Sequence, residues 1–489
     1  MSEPTISTVT EAPPPRLGDA WLALTGLSAV FLFEMLDNSV LNVALPTIGR
    51  ELTASTALLQ WVSGAYSVAF GGLMLLFGAV ADRVGRRRIM FVGLTLLAVV
   101  SISTVFVTSV EQLIAVRALM GVAAAMTTPG SMALAFRLFD RDDLRVRALT
   151  VISTAGLVGL AAGPIIGGFV LAVAPWQVLI VANAPIAAIA VLGIGAGVAA
   201  DQRTDLHRSP IDVVGAVLGT VSVVGGLLTP TLFVAATDVA LAWGAALATV
   251  AGMVGFVLWE RAAEHPLLDL RLIAKPLVAS GLAYKAAAGL AMAGLSYLVT
   301  LQVQVAWGWP PALAAVGTLP QVVVLLASGR FVGPFVNRVG LERAAWTSAT
   351  AVIAGLAVFA LLGRFGYPWV LVALVLVAAG MRVVGVVAGN NVLRGLPQNR
   401  TSIGAALVDT ASEIATAVGI AATGTILAAF VGGSITTMTM TASRLSSFQE
   451  AVSVAGLIIT ALAAALVGVG IHRSRQTPAR PATQEPSHV

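Results

Sequence analysis

The sequence predicts an all-α integral membrane protein of fourteen transmembrane helices, arranged as two six-helix halves with two further helices inserted between them. Three observations predict this. Of 489 residues, 58% are hydrophobic and only 10% are charged, against about 25% charged in soluble proteins, and the mean hydropathy is +0.93. Apolar runs of roughly 20 residues, the length that crosses a bilayer, follow one another with short loops between them. A signature also recurs: Gly78-Ala-Val-Ala-Asp82-Arg83-Val84-Gly85 returns as Gly333-Pro-Phe-Val-Asn337-Arg338-Val339-Gly340, keeping the glycines, the arginine and the valine in register. Halves repeated about an axis along the membrane normal are a secondary-transporter architecture.

The spans follow in order. The first, 21–43, holds Glu34 and Asp37 and is too long and too acidic for a cleaved signal segment. The second, 59–80, ends on the first signature, and the third, 89–109, starts after Arg86-Arg87-Arg88. The fourth, 111–135, carries Arg117; the fifth, 148–172, is glycine-rich; the sixth is 176–199. Spans 211–236 and 239–258 form the inserted pair. The second half runs through 276–305 with Lys285, 312–333 ending on the second signature, 343–363, 369–391 with Arg382, 402–430 with Asp409 and Glu413, and 450–471. The domains expected are therefore a tail 1–20, a first half 21–199, an inserted pair with its linker 200–275, a second half 276–471 and a tail 472–489. Both tails are proline-bearing and aperiodic, which predicts disorder.

The net charge of +5 would suit a nucleic-acid binder until the basic residues are located. Of 28 lysines and arginines, only Arg50, Arg364 and Arg444 fall in loops on one side, and Arg117, Lys285 and Arg382 fall inside spans. The rest lie in the tails, in loops on the other side or, as Arg330 and Arg343 do, within three residues of a span end on that side. Basic residues are retained in the cytoplasm, so both termini are expected there, in a multi-pass plasma-membrane protein with no nucleic-acid partner. The chain has no cysteine, and His207, His265, His472 and His488 all lie in loops or tails. That excludes thiol chemistry and an intramembrane histidine site, so no metal, no cofactor and no enzymatic activity are expected. Lys275 and Lys285 are the only lysines, and neither follows a phosphate-binding glycine loop, which argues against ATP drive. Clustered charges of both signs do not make the single-sign rings of a channel.

Seven ionisable residues inside spans carry the functional signal, because each costs about 2.5–3.5 kcal/mol at the bilayer centre even on the gentler insertion scale. Asp37 and Arg117 each lie six residues from the same end of their helices, about 9 Å by the helical rise, so they share a depth and can pair. Glu34 sits one turn from Asp37 on the same face, and Asp409 and Glu413 are stacked at i and i+4. Carboxylates that close resist ionising together in a poor dielectric, so each pair is a candidate proton carrier. Lys285, Arg382, Asp409 and Glu413 fall at similar depth and are expected to form a second cluster, of balanced charge. The bland alternative is that these are ion pairs that only fix helix packing.

At these residues the chain resembles the fourteen-span drug:proton antiporter branch of the major facilitator superfamily, from about Trp21 to Gly470. Span 1 reads Leu36-Asp37-Asn38-Ser39-Val40-Leu41-Asn42-Val43-Ala44-Leu45-Pro46, close to that branch's first-helix motif, with Ser39 where threonine is usual. The loop with Gly78, Asp82, Arg83, Gly85, Arg86 and Arg87 resembles the superfamily's general signature, which implies a cytoplasmic latch between the halves. Arg117-Ala-Leu-Met-Gly121 resembles the motif whose arginine takes part in proton coupling. Gly159, Gly163, Pro164, Gly167 and Gly168 resemble the antiporter motif of exporters, and Trp176, Asn183 and Pro185 the sixth-span pattern. Asp212, Trp259-Glu260-Arg261 and Pro266 to Asp269 resemble the inserted-helix region.

The resemblance implies a proton-coupled exporter of lipophilic, cationic or neutral drugs, antibiotics or secondary metabolites. Asp37, Glu34, Arg117, Asp409 and Glu413 would couple protons, with Lys285 and Arg382 as further charges of the substrate cavity. The alternative on the same fold is an exporter or flippase of lipid or cell-envelope precursors, which a lateral opening toward the bilayer would mark. The partners expected are a small amphiphilic substrate, protons and the lipid bilayer, and the chain is expected to act as a monomer.

Overall fold

The computed structural model describes residues 16–139, 141–201, 212–235, 239–264, 266, 268–396, 401–431 and 441–476. Most of the two expected tails, with His207, His265 and His488, lies outside the described residues. Among those described, every element is helical. The first half comprises α1 (Trp21–Glu51), α2 (Thr56–Val84), α3 (Arg86–Ser103), α4 (Val110–Arg137), α5 (Asp142–Val173), α6 (Gln177–Val181) and α7 (Asn183–Gly197). The inserted pair is α8 (Val213–Ala235) and α9 (Val239–Ala262), followed by the single turn α10 (Leu270–Ile273). The second half comprises α11 (Pro276–Leu301), α12 (Pro311–Ala327), α13 (Gly329–Val339), α14 (Leu341–Leu362), α15 (Tyr367–Gly395), α16 (Thr401–Val431) and α17 (Ala442–Arg475). Among the described residues, eleven helices are each long and apolar enough to cross a membrane, and two bent pairs bring the number to thirteen. With α8, a further apolar helix of 23 residues, the helices are consistent with the fourteen spans expected.

Local chemistry explains where the spans stop and break. Ser55 and Ser109 cap α2 and α4 by accepting hydrogen bonds from Leu58 N and Gln112 N. Gly85 at φ 120° and Gly340 at φ 83° make the turns α2–α3 and α13–α14, so the two copies of the signature end on backbone that only glycine adopts readily. The expected tenth span is broken into α12 and α13, bent by 56° at Ser328–Gly329, a serine–glycine pair of the kind that kinks helices. The sixth span breaks between α6 and α7 just before Asn183-Ala-Pro185, where proline removes a ladder donor. The last helix continues to Arg475, past the boundary at 471 that hydropathy suggests. His472, Arg473 and Arg475 in its final turn complement the negative end of the helix dipole.

The packing repeats between halves. In the first, α1 lies on α5 and α7, α2 on α4, and α3 on α4 and α7; in the second, α11 lies on α16 and α17, α12 on α15, and α14 on α15 and α17. Small residues set these approaches, as membrane helix interfaces require. Gly26 of α1 packs on the backbone of α7 at Gly193, and Gly281 of α11 on α15 at Ala388.

The seams between halves pair α2 with α16 and α5 with α12, partners that exchange under the same repeat. Along the first seam Gln60 meets Gly424, Gly64 meets Ile420 and Gly71 meets Glu413, a steady antiparallel register. Along the second, Gly168 near the end of α5 rests on Ala312 and Ala315 at the start of α12. A π-helical turn, Gln302–Ala306, adds a clasp: Gln304 Nε2 donates to Val43 O of α1 at 3.0 Å. Gln60, Gly168 and Gln304 all belong to the membrane side opposite the chain ends. On the side of the chain ends, α13 packs chiefly on α12, α14 and α15 of its own half. The halves are thus clasped on the far side. The inserted helix α8 lies over the α2–α16 seam, where Thr220 Oγ1 donates to Gly72 O at 3.1 Å and Leu227 packs on Val68 and Ala417.

Candidate functional site

The strongest constellation forms around Asp37, in the middle of α1. Arg117 of α4 donates through Nη1 to Asp37 Oδ2, and Asn183, at the first residue of α7, donates through Nδ2 to Asp37 Oδ1 at 2.7 Å. The arginine is fully buried at 0% exposure, and Asp37 is 4% exposed. Arg117 Nε donates to Val62 O of α2 at 3.1 Å, and the guanidinium stands 4.7 Å from the centre of the Tyr66 ring. One charged pair therefore ties four helices together. The depth match at α1 and α4 was readable from sequence; the part of Asn183 was not, because it depends on the break that turns the start of α7 inward.

One turn along α1, Glu34 is 5% exposed and its Oε2 accepts from Thr128 Oγ1 of α4 at 2.9 Å. Its electrostatic surroundings include Glu413 and Asp409 of α16 and Lys285 of α11. Glu413 sits where α16 crosses α2: a Cβ on Gly71 would stand 3.1 Å from Glu413 Cβ. Ser67 neighbours its carboxylate, and its Oε2 is buried without a partner. The carboxyl groups of the two halves thus face one another across the seam, with Lys285 close by. None of Lys285, Asp409 and Glu413 makes an ion pair within 4.0 Å among the described residues.

Arg382 goes elsewhere. Its Nη2 would stand 3.0 Å from a Cβ on Gly329, against the bend between α12 and α13, and it is not among the charges acting on Asp409 or Glu413. The balanced four-residue cluster expected from depth is therefore a cluster of three with an excess of acid. Depth along a helix does not fix the direction a side chain takes around it.

The antiporter-motif residues form the surface on which α1 rests against α5. Gly159 packs on Leu32 and Leu36, Gly163 on Ser39 and Val40, and Gly167 on Val40, while Gly168 faces α12. Pro164 has no N–H to offer Leu160 O, four residues back, and Ser39 Oγ donates to that carbonyl at 2.8 Å. The motif therefore sets the helix that carries Asp37 and at its last glycine touches the other half. Replacing Ser39 by alanine is expected to leave Leu160 O unsatisfied and to cost about 1–2 kcal/mol, read as a lower melting temperature than for Ser39→Thr.

In the signature loop, Asp82 Oδ1 pairs with Arg86 Nε at 2.7 Å. Asp201, beyond α7, accepts from Arg87 N at 3.3 Å and Arg88 N at 3.1 Å, placing a carboxylate on the positive end of α3. Arg87 Nη2 also donates to Gly195 O at 2.6 Å. Asp82, Arg86 and Arg87 thus bond within the first half and to Asp201 just past it, whereas the resemblance implied a latch between halves. Gly78 lies over Pro129 of α4. Gly85→Val is expected to cost about 1–3 kcal/mol of backbone strain and to push Asp201 off the start of α3. Thermal unfolding of the purified variant checks this, with a drop larger than that of Asp201→Asn expected.

Comparison with known proteins agrees with this architecture. The sequence matches the family model of the Major Facilitator Superfamily over residues 27–420. It is 31% identical over 440 residues to the cephamycin export protein CmcT of Amycolatopsis lactamdurans, covering 86% of this chain and 87% of that one. It is 28% identical to the multidrug efflux pump LfrA of Mycolicibacterium smegmatis, over 84% and 81% of the two chains. Among solved structures, the bacterial homologue of the human lysosomal transporter Spinster, in an inward-facing and unoccupied conformation, superposes with a TM-score of 0.65 over 95% of this chain and 100% of that one, at 14% identity. The chain is a transporter and not an enzyme, and it belongs to the major facilitator superfamily, in the branch of its drug and antibiotic efflux transporters.

Proposed function

We propose that the protein exports lipophilic cationic or neutral compounds across the plasma membrane in exchange for protons, by alternating access, with both termini in the cytoplasm. The observation that carries the reading is the set of buried carboxyl groups: Glu34 on α1 near Glu413 and Asp409 on α16, with Asp37 one turn along α1 held by Arg117. Charges this costly inside a bilayer default to function. With the termini inside, the far-side clasp closes the outer face, so this state receives substrate from the cytoplasm. Rocking of the halves would part the α2–α16 and α5–α12 seams on the outer side and admit protons to the carboxyl groups.

Proton and cationic substrate are taken to compete for the same negative charge, which is what obligatory exchange requires. Glu413 and Asp409 are the acids without an ion-pair partner, and they would receive the cation. Binding of a lipophilic cation to the purified protein is accordingly expected to weaken as pH falls from about 7 to 5, since each proton bound removes a charge the cation needs. The double change Asp409→Asn with Glu413→Gln is expected to flatten that dependence. Equilibrium binding titrations measure it, and a dependence untouched by the double change would assign the α16 acids to packing. Efflux from proteoliposomes under an imposed pH gradient tests the coupling itself: transport indifferent to the gradient would refute proton drive.

A further inference from the structure

The inserted pair closes at its base on two acids that play no part in the transport reading. Asp212 stands immediately before α8 and Glu260 in the last turn of α9. Asp212 Oδ1 accepts from Gly215 N and from Trp259 Nε1, each at 2.8 Å. Glu260 Oε2 accepts from Leu268 N at 3.0 Å. The two remaining oxygens, Asp212 Oδ2 and Glu260 Oε1, are buried and have no hydrogen-bond donor. Both are aimed at one spot, the side of Gly215 where a Cβ would otherwise stand and would collide with each of them. Glu260 as a residue is only 4% exposed.

Two carboxylate oxygens turned toward each other out of water repel strongly unless something positive lies between them. Among the described residues no side chain supplies that charge. Helix α8 has no charged residue, and α9 adds only Arg261, which is exposed. Of the residues that follow, Glu264 and Arg271 are exposed, and Asp269 caps α10 through Arg271 N. Of the helices α8 packs against, α2 ends with Asp82, paired with Arg86 at the start of α3, and with Arg83, itself engaged, while α16 has no charge before Asp409. The charge acting on Glu260 is that of Asp212. A zinc site would ask for three or more protein ligands, and no group of three histidine, cysteine or acidic side chains that could hold a metal exists among the described residues. A proton asks for two oxygens.

We propose that Asp212 and Glu260 hold one proton between them, which makes the base of the inserted pair a proton-binding site separate from the groups around Asp37 and Glu413. The carboxyl–carboxylate hydrogen bond so formed is of the strong, charge-assisted kind. It fastens the start of α8, the end of α9 and, through Leu268 N, the segment that leads into the second half. Losing the proton sets two negative charges against each other beneath Gly215 and loosens that junction. It also gives Gly215 a reason: a side chain there would occupy the place where the two oxygens meet.

Trp259 reports on the site, because its indole N–H is bound to Asp212, and fluorine NMR of the full-length chain labelled with 5-fluorotryptophan reads it directly. The chain has nine tryptophans, and the Trp259 signal is assigned by its loss in Trp259→Phe. In the unaltered protein this signal is expected to shift in a single one-proton titration across the pH range in which the protein stays folded. In Glu260→Gln, whose amide N–H takes the proton's place, the titration is expected to vanish with the signal close to its acid position. Asp212→Asn gives the same loss of titration should Glu260→Gln not fold. A signal that stays flat in the unaltered protein overturns the proposal, as does a titration that survives in Glu260→Gln. So does a shift of the same size produced at constant pH by sodium or calcium chloride, which would assign the site to a metal cation.

Discussion

Asp37→Asn is expected to abolish gradient-driven export while leaving the protein inserted and folded. The carboxylate accepts from two donors, Arg117 Nη1 on one oxygen and Asn183 Nδ2 on the other. An asparagine there offers one acceptor and turns its own NH₂ toward the other donor, so one contact is lost and the arginine's charge goes uncompensated. A hydrogen bond to a charged group is worth about 1.5–3 kcal/mol, and each 1.4 kcal/mol is tenfold, so a fall in coupled transport of about 100-fold is expected. The fold survives because α1 is also held by glycine contacts to α5 and α7 that do not involve Asp37. Efflux from proteoliposomes, normalised to monodisperse protein, measures the outcome. Full gradient-driven efflux by the variant would remove Asp37 from the coupling path.

How much of this was legible in the sequence follows from what a linear pattern encodes. Apolar runs and the helical rise give the number of spans and the depth of each residue, so Asp37 and Arg117 could be matched at about 9 Å from one membrane face. The antiporter motif was legible through the family resemblance, whereas its spacing says only that Gly159, Gly163 and Gly167 put small residues along one stripe of α5 and that Pro164 frees a carbonyl. Direction around the helix axis is not encoded in depth. That is why Arg382 was grouped with Asp409 and Glu413 yet lies against Gly329, at a bend the apolar run 312–333 conceals. Asn183 was matched to the sixth-span pattern but its contact with Asp37 was not foreseen, and Asp201 escaped notice, for a related reason: each acts from the start or end of a helix. Two signals could have found them: a polar residue beside a proline in span 6, and an acid just past the end of that span, facing the basic start of span 3. The far-side clasp was illegible, because it belongs to one of two arrangements the same sequence must allow.

The largest loss of stability is expected from Arg117→Leu, and its second half is a rescue. Removing the arginine strands Asp37 as a buried acid with only Asn183 to satisfy it, takes the donor from Val62 O and leaves the Tyr66 ring without its cation. Breaking a buried pair from one side costs about 3–5 kcal/mol, most of it the desolvated charge left behind. If that charge is the cause, adding Asp37→Asn to Arg117→Leu removes it, and the double variant is expected to be more stable than Arg117→Leu alone although it lacks both partners. A contact valued only for packing gives the opposite order, with the double variant the least stable of the three. Thermal unfolding of the two single variants and the double in the same detergent closes the cycle. Transport distinguishes the roles further, because the rescued double variant has no unpaired buried charge at this site and no carboxylate at position 37, and is expected to fold while failing to couple to a pH gradient. An Arg117→Leu protein as stable as the parent would mean that Asp37 carries no charge in this state, and the arginine would then be needed only when the halves rock and the proton leaves.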